Sequence, residues 1–185
     1  MSGLVLILLS ALSGCSSISV HEKPAASASY PEPNLILMPP NLGPEPQLLK
    51  QTVTLSRHGH QIQFISVNRL TSEKIELLAL LPVGQPLMEL SYDGQKLSNR
   101  VYGKLPINGP NILALLQFSL WPKRSVEQYY SPEMGWALHI NQTKRLLSWA
   151  GERWLKVNIL PNGLIVDNYR ENYQVQIHTV EKMDL

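Results

Sequence analysis

The chain predicts a mainly β domain of the α+β class: a curved antiparallel half-barrel of about ten strands closed by a central helix. Three observations carry this. From residue 52 onward, short segments of alternating apolar and polar residues follow one another, separated by Asp93-Gly94, Ala150-Gly151 and Pro161-Asn162-Gly163 turns. The last segment places Tyr173, Val175, Ile177 and Thr179 on one face and Gln174, Gln176 and His178 on the other, the mark of an antiparallel sheet with one wet side. One apolar segment, at about 110–120, has helical spacing instead.

Val53 and Leu55 alternate with Thr52, Thr54 and Ser56, and Ile62 and Phe64 alternate with Gln61 and Gln63. Ile65 and Val67 then change parity, which predicts a bulge after Phe64. Ile75 to Leu81 is an apolar strand, and Met88, Leu90 and Tyr92 alternate with Leu87, Glu89 and Ser91. Asp93-Gly94 is a strong hairpin turn into the strand from Gln95 to Tyr102. The helix runs from about Pro110 to Leu120, capped by Asn108 or Gly109, with Pro110 in its first turn. Ile112, Leu115, Leu116 and Ser119 share a stripe of it, and Trp121-Pro122 ends it. Strands resume at Trp136–Ile140, Arg145–Ala150, Trp154–Leu160, Leu164–Tyr169 and Tyr173–Val180.

Upstream of this body the chain has a different character. Leu4 to Leu12 is a short apolar run ending in Leu12-Ser13-Gly14-Cys15. It is too short for the roughly 20 residues of a spanning helix and suits the h-region of a signal peptide. Small residues before a cysteine at that place look like a bacterial lipobox. The resemblance implies cleavage before Cys15 and acylation of that residue, palmitate among the chains. Ser16, where the bacterial sorting rule would read Asp as a retention signal, favours the outer membrane. Residues 1–14 are then a signal peptide and 15–50 a lipidated cysteine with a linker, which holds seven of the chain's 14 prolines and acts as a semi-rigid spacer. Leu35-Ile36-Leu37-Met38 interrupts the linker as a short strand or arm packed on the body, and Gln47 to Lys50 suits a short helix after Pro46. Residues 51–185 form one domain.

The net charge is +2 and no Lys/Arg block exceeds two residues, so there is no electrostatic footprint for nucleic acid. Cys15 is the only cysteine, and once lipidated it leaves no thiol for a disulfide or a nucleophile. No Gly-x-Ser-x-Gly elbow and no phosphate-binding glycine loop occurs. His58-Gly59-His60 puts two imidazoles on one face of a strand end, without a third ligand nearby. Glu73, Glu76, Glu89 and Asp93 read as solvated strand positions and loop caps. No metal, cofactor or enzymatic activity is expected. The turn Leu81-Pro82-Val83-Gly84 is unusual, because it joins two apolar strands through an apolar tip.

Glu76 to Gly84 followed by Met88-Glu89-Leu90, Leu105-Pro106-Ile107 before the helix to Trp121, Arg153-Trp154-Leu155-Lys156-Val157, and Leu160 to Leu164 together resemble the LolB family of outer-membrane lipoproteins. The match covers roughly Lys74 to the C-terminus. It implies a LolA/LolB-like incomplete barrel with an apolar cavity for acyl chains, here expected to be lined by Phe64, Leu77, Met88, Leu90, Leu116, Trp136 and Trp154. It also implies that the loop 81–84 enters the membrane, with Val83 where the family has a larger leucine. The partners implied are the membrane, reached through the lipid anchor, the acyl chains of a lipoprotein or specialised lipid, and a periplasmic LolA-like carrier. A monomer is expected. The poor match before Lys74 places the chain nearer an uncharacterised LolB-like branch, of the kind found beside fatty-acid-like pathways such as those for aryl polyene lipids.

The leading expectation is therefore a lipid-anchored protein on the periplasmic face of a Gram-negative outer membrane, one that accepts acylated cargo and passes it on. The alternative is a structural envelope lipoprotein that binds another protein and fills its cavity with its own side chains.

Overall fold

A computed structural model describes residues 33–185. Cys15, the apolar run before it and the signal-peptide boundary lie outside the described residues. Ten strands form a single sheet, every neighbouring pair antiparallel: β1 (Gln47–Arg57), β2 (His60–Leu70), β3 (Ile75–Leu80), β4 (Pro86–Tyr92), β5 (Leu97–Val101), β6 (Trp136–Ile140), β7 (Lys144–Trp149), β8 (Glu152–Leu160), β9 (Gly163–Asn168) and β10 (Tyr173–Asp184). The spatial order is β5-β4-β3-β2-β1-β10-β9-β8-β7-β6. Two five-strand meanders thus meet where the first strand pairs with the last, and the sheet is not closed into a barrel. Its two edges, β5 and β6, are joined in sequence by α1 (Gly109–Leu120) and α2 (Lys123–Tyr129).

The turns follow their residues. Asp93 Oδ1 accepts the amides of Gln95 and Lys96 at 2.9 and 2.7 Å, and Gly94 takes φ +97°. The same two bonds, Lys96 first, hold the Asp93 carboxyl below its usual range. Asn108 caps α1, its Oδ1 accepting the Asn111 amide at 2.9 Å.

Three expectations are corrected. The register between β1 and β2 runs unbroken, so there is no bulge after Phe64. Parity is kept by turning Ser66 and Asn68 inward and leaving Ile65 and Val67 half-buried on the outer face. Gln47 to Lys50 is strand rather than helix, because its backbone pairs with both β10 and β2. The expected boundary at residue 51 therefore falls inside β1. Trp121-Pro122 ends α1 as expected, but Pro122 also opens α2, a short helix that the sequence did not signal, with an i,i+4 pair between Lys123 and Glu127 at 2.9 Å.

Leu35 to Pro39 packs as an extended arm with no strand partner and runs into a single 3-10 turn, Pro40–Leu42. It closes over the outer side of the two helices. The buried Gln117 side chain holds it as a strand would: Oε1 accepts the Met38 amide at 2.8 Å, and Nε2 donates to the Met38 carbonyl. The Ile36 amide donates to the Tyr130 hydroxyl at 3.0 Å, and Ser125 Oγ donates to the Leu42 carbonyl at 2.8 Å. Met38 is fully buried. Gly43 lies so close to Trp121 and to the Pro40 carbonyl that a side chain there would collide with both.

Candidate functional site: an apolar pocket under α1

The concave face of the sheet divides into two regions. Under β6 to β8 it is packed solid. Phe118, Tyr130, Trp136 and Trp154 form an edge-to-face series with centroids 5.6, 5.3 and 4.9 Å apart, and Trp149 lies 6.5 Å beyond. Such pairs contribute about 0.5–1.5 kcal/mol each beyond their burial. Arg145 is buried in this half. Its guanidinium donates to the carbonyls of Phe118 and Trp121 at 2.8 and 2.7 Å, which satisfies the C-terminal end of α1 and sets a cation against the negative end of the helix. Burial holds its pKa below the usual value.

Under β1 to β4, β9 and β10 the interior is not filled. A pocket of about 60 Å³ runs between the sheet and α1. Val53, Phe64, Leu77, Met88, Val175 and Ile177 form its sheet wall. The helix contributes Ile112, Leu115, Leu116 and Ser119, the stripe legible from helical spacing. At one end sits a polar group: Ser66 Oγ donates to Asn68 Oδ1 (3.0 Å), Asn68 Nδ2 to Gln51 Oε1 (2.9 Å), and Gln51 Nε2 to Thr179 Oγ1 (3.1 Å). Ser119 lines the same pocket, and its hydroxyl is buried with no hydrogen-bond partner.

At its other end the pocket shares Leu55 and Leu105 with a wide surface hollow lined also by Arg57, His58, His60 and Lys104. The segment 102–108, which links β5 to α1, covers this mouth. Arg57 donates to the Pro106 carbonyl across it, and the amides of Tyr102 and Gly103 donate to the Leu87 carbonyl at 2.9 and 3.1 Å.

Of the seven residues expected at a cavity, Phe64, Leu77, Met88 and Leu116 lie together on the pocket wall. Leu90 does not. It is buried at the start of α1, where a side chain on Gly109 would collide with its Cδ2. Trp136 and Trp154 belong to the aromatic series, their ring centroids 4.9 Å apart. Sequence reading missed Gln51, Ser66 and Asn68, and placed Ser119 on the helical stripe without assigning it to a cavity. The signal was present as polar residues at inward parity.

The loop Leu81-Pro82-Val83-Gly84 is a tight turn closed by the Gly84 amide on the Leu81 carbonyl at 2.8 Å, with Gly84 at φ +86°. Leu81 packs partly against the core, whereas Pro82, Val83 and Gly84 are exposed, Val83 by 80%. Val101 and Tyr102, 57% and 54% exposed, lie at the same end of the sheet. His58 and His60 are both exposed; His58 sits in the β1–β2 turn and His60 opens β2. Among the described residues no group of three or more His, Cys, Asp or Glu could hold a metal ion, and no helix is long and apolar enough to cross a membrane.

Residues 48–181 match the model of the family described as "Protein of unknown function (DUF3261)", and the chain belongs to that family. No curated protein matches. Among solved structures the chain is similar to one described as a "putative outer membrane lipoprotein-sorting protein domain from Vibrio parahaemolyticus", at 8% identity and a TM-score of 0.40. That alignment covers 76% of this chain and 85% of the other. Similarity at this level bears on neither ligand nor partner.

Proposed function

We propose that this member of the DUF3261 family is a lipid-anchored envelope protein that takes an acyl chain into the pocket under α1 and passes it to a membrane. The observation that carries the reading is an unfilled apolar pocket in an otherwise packed interior, opening at the end of the sheet where Val83, Val101 and Tyr102 are exposed. An acyl chain suits such walls because each buried methylene contributes about 0.8 kcal/mol. The anchor is acylated Cys15, and the spacer before residue 33 lets the body reach the bilayer. Val83 enters the interface rather than holding the protein there, since one valine contributes at most about 3 kcal/mol. A LolA-like carrier as donor and the periplasmic face of the outer membrane as location complete the proposal.

The open volume suits part of one chain, so a longer chain requires segment 102–108 to move outward. The same small volume favours the second reading, a structural lipoprotein whose interior is filled by its own side chains. Mass spectrometry of a lipid extract from the purified protein separates the two. A co-purifying acyl lipid at near-stoichiometric amount is the expected result. Protein free of lipid, and unable to take labelled acyl chains from vesicles, would favour the structural role. Cys15→Ala is expected to leave the protein uncleaved or soluble, and normal membrane fractionation of that variant would refute the anchor.

A further inference from the structure

The pocket is apolar along its length yet polar at its closed end, and a plain hydrocarbon tail gives that end nothing to bond. Resting on the acyl-chain reading above, we propose that the ligand is an anionic chain carrying its own hydroxyl or carbonyl, placed to meet Ser119 and the Gln51–Asn68–Ser66 group. Ser119 lines the pocket, and its hydroxyl is buried without a partner, a donor and an acceptor left for a ligand atom to reach. A buried hydroxyl left unpaired is costly, and no packing need explains serine on an otherwise apolar helical stripe where alanine would fit. Ser66 Oγ still has free acceptor capacity, and each amide of Gln51 and Asn68 has a second hydrogen beyond the bond described for it.

Orientation comes from the other end. Arg57, His58, His60 and Lys104 line the hollow continuous with the mouth, which sets a carboxylate outside and the chain inside. Register gives the length. The mouth is at Leu55 and the polar group at Gln51, four strand residues deeper. That is about 13 Å, the extended length of roughly ten methylenes, so a chain that reaches the polar group displaces segment 102–108 from the mouth. The ligand class is thus a long-chain acid with a polar atom near its middle or far end, not next to its head.

Isothermal titration of delipidated protein with stearate, 2-hydroxystearate and 12-hydroxystearate tests this. The 12-hydroxy acid is expected to bind at least fivefold tighter than the other two. In Ser119→Ala that preference should fall to about one; alanine is small and favoured in a helix, so the fold is kept. Equal binding of the three acids by the parent would mean that water satisfies the polar end, and would overturn the inference while leaving an acyl-chain pocket. A preference that survives Ser119→Ala would overturn the role given to that residue. Failure of all three acids to bind would overturn the acyl-chain reading itself.

Discussion

Gln117→Leu removes the clamp on the N-terminal arm with almost no change in side-chain volume. Two buried hydrogen bonds to Met38 are lost, worth about 1 kcal/mol each in net terms. If the arm stays in place, the Met38 amide and carbonyl remain buried without partners, at about 1–3 kcal/mol each. If it lifts instead, Met38 loses its burial, which costs about 1.5–3 kcal/mol, and the bonds from Tyr130 and Ser125 go with it. The cheaper route sets the measured value, so the expected loss is about 2–4 kcal/mol. Equilibrium urea unfolding would show it as a lower midpoint at unchanged slope. Limited proteolysis within residues 33–46 would report whether the arm has lifted. A loss below about 0.5 kcal/mol would refute the clamp. A full loss with unchanged protection of the arm would locate the effect inside α1 instead.

Further predictions concern the pocket, the loop and pH. Val83→Glu is expected to leave unfolding within about 0.5 kcal/mol of the parent, since the side chain is exposed, while slowing transfer of a labelled acyl chain to vesicles; normal transfer would make the tip inert. Arg57→Met should raise the exchange rate of a bound chain by freeing Pro106, whereas Arg57→Gln, which keeps a donor, should restore slow exchange; equal acceleration in both would assign the effect to charge. Arg145→Leu is expected to cost about 1–3 kcal/mol in urea unfolding, the bonds to the end of α1 being partly offset by relief of a buried charge. Burial pushes the Tyr130 and Tyr173 hydroxyls from 10.0 up to about 12. Because the fold favours the protonated phenols, their stabilisation is complete below pH 10 and is lost as pH rises from 10 to 12; Tyr130→Phe should flatten that fall, and an unchanged slope would refute the assignment.

The strands were legible where one face is wet. Alternation in β10 and the Asp93-Gly94 turn identify themselves, because burial and left-handed backbone each select residue type directly. β2 was misread after Phe64 for the opposite reason. There the inward positions are polar and the outward ones apolar, so parity read from hydrophobicity changed where the backbone did not. That inversion coincides with the polar end of the pocket. α2 was hidden because the 3.6 period cannot be seen in a seven-residue helix and Pro122 reads equally as a stop or a start. The split of the interior into a pocket and an aromatic half depends on which inward side chains meet across the sheet, which no composition signal marks.

These features together indicate which part of the pocket can move. α1 is its roof, and that roof is fixed at both ends and on its outer side. Asn108 caps its start, Arg145 satisfies its end, and Gln117 ties its back to the arm. Lifting it would break all three and expose the aromatic half as well. Segment 102–108 has no regular structure; its described ties to the sheet are the Arg57 bond and the two amide bonds to Leu87. It carries Leu105 and Ile107, which line the pocket, and it lies at the end that bears the exposed apolar residues. Opening there costs three hydrogen bonds that water can replace and the burial of Ile107, about 1.5–3 kcal/mol, which is less than lifting α1. A chain leaving by that route emerges beside Val101 and Tyr102, at the end of the sheet that the proposed function sets against a bilayer.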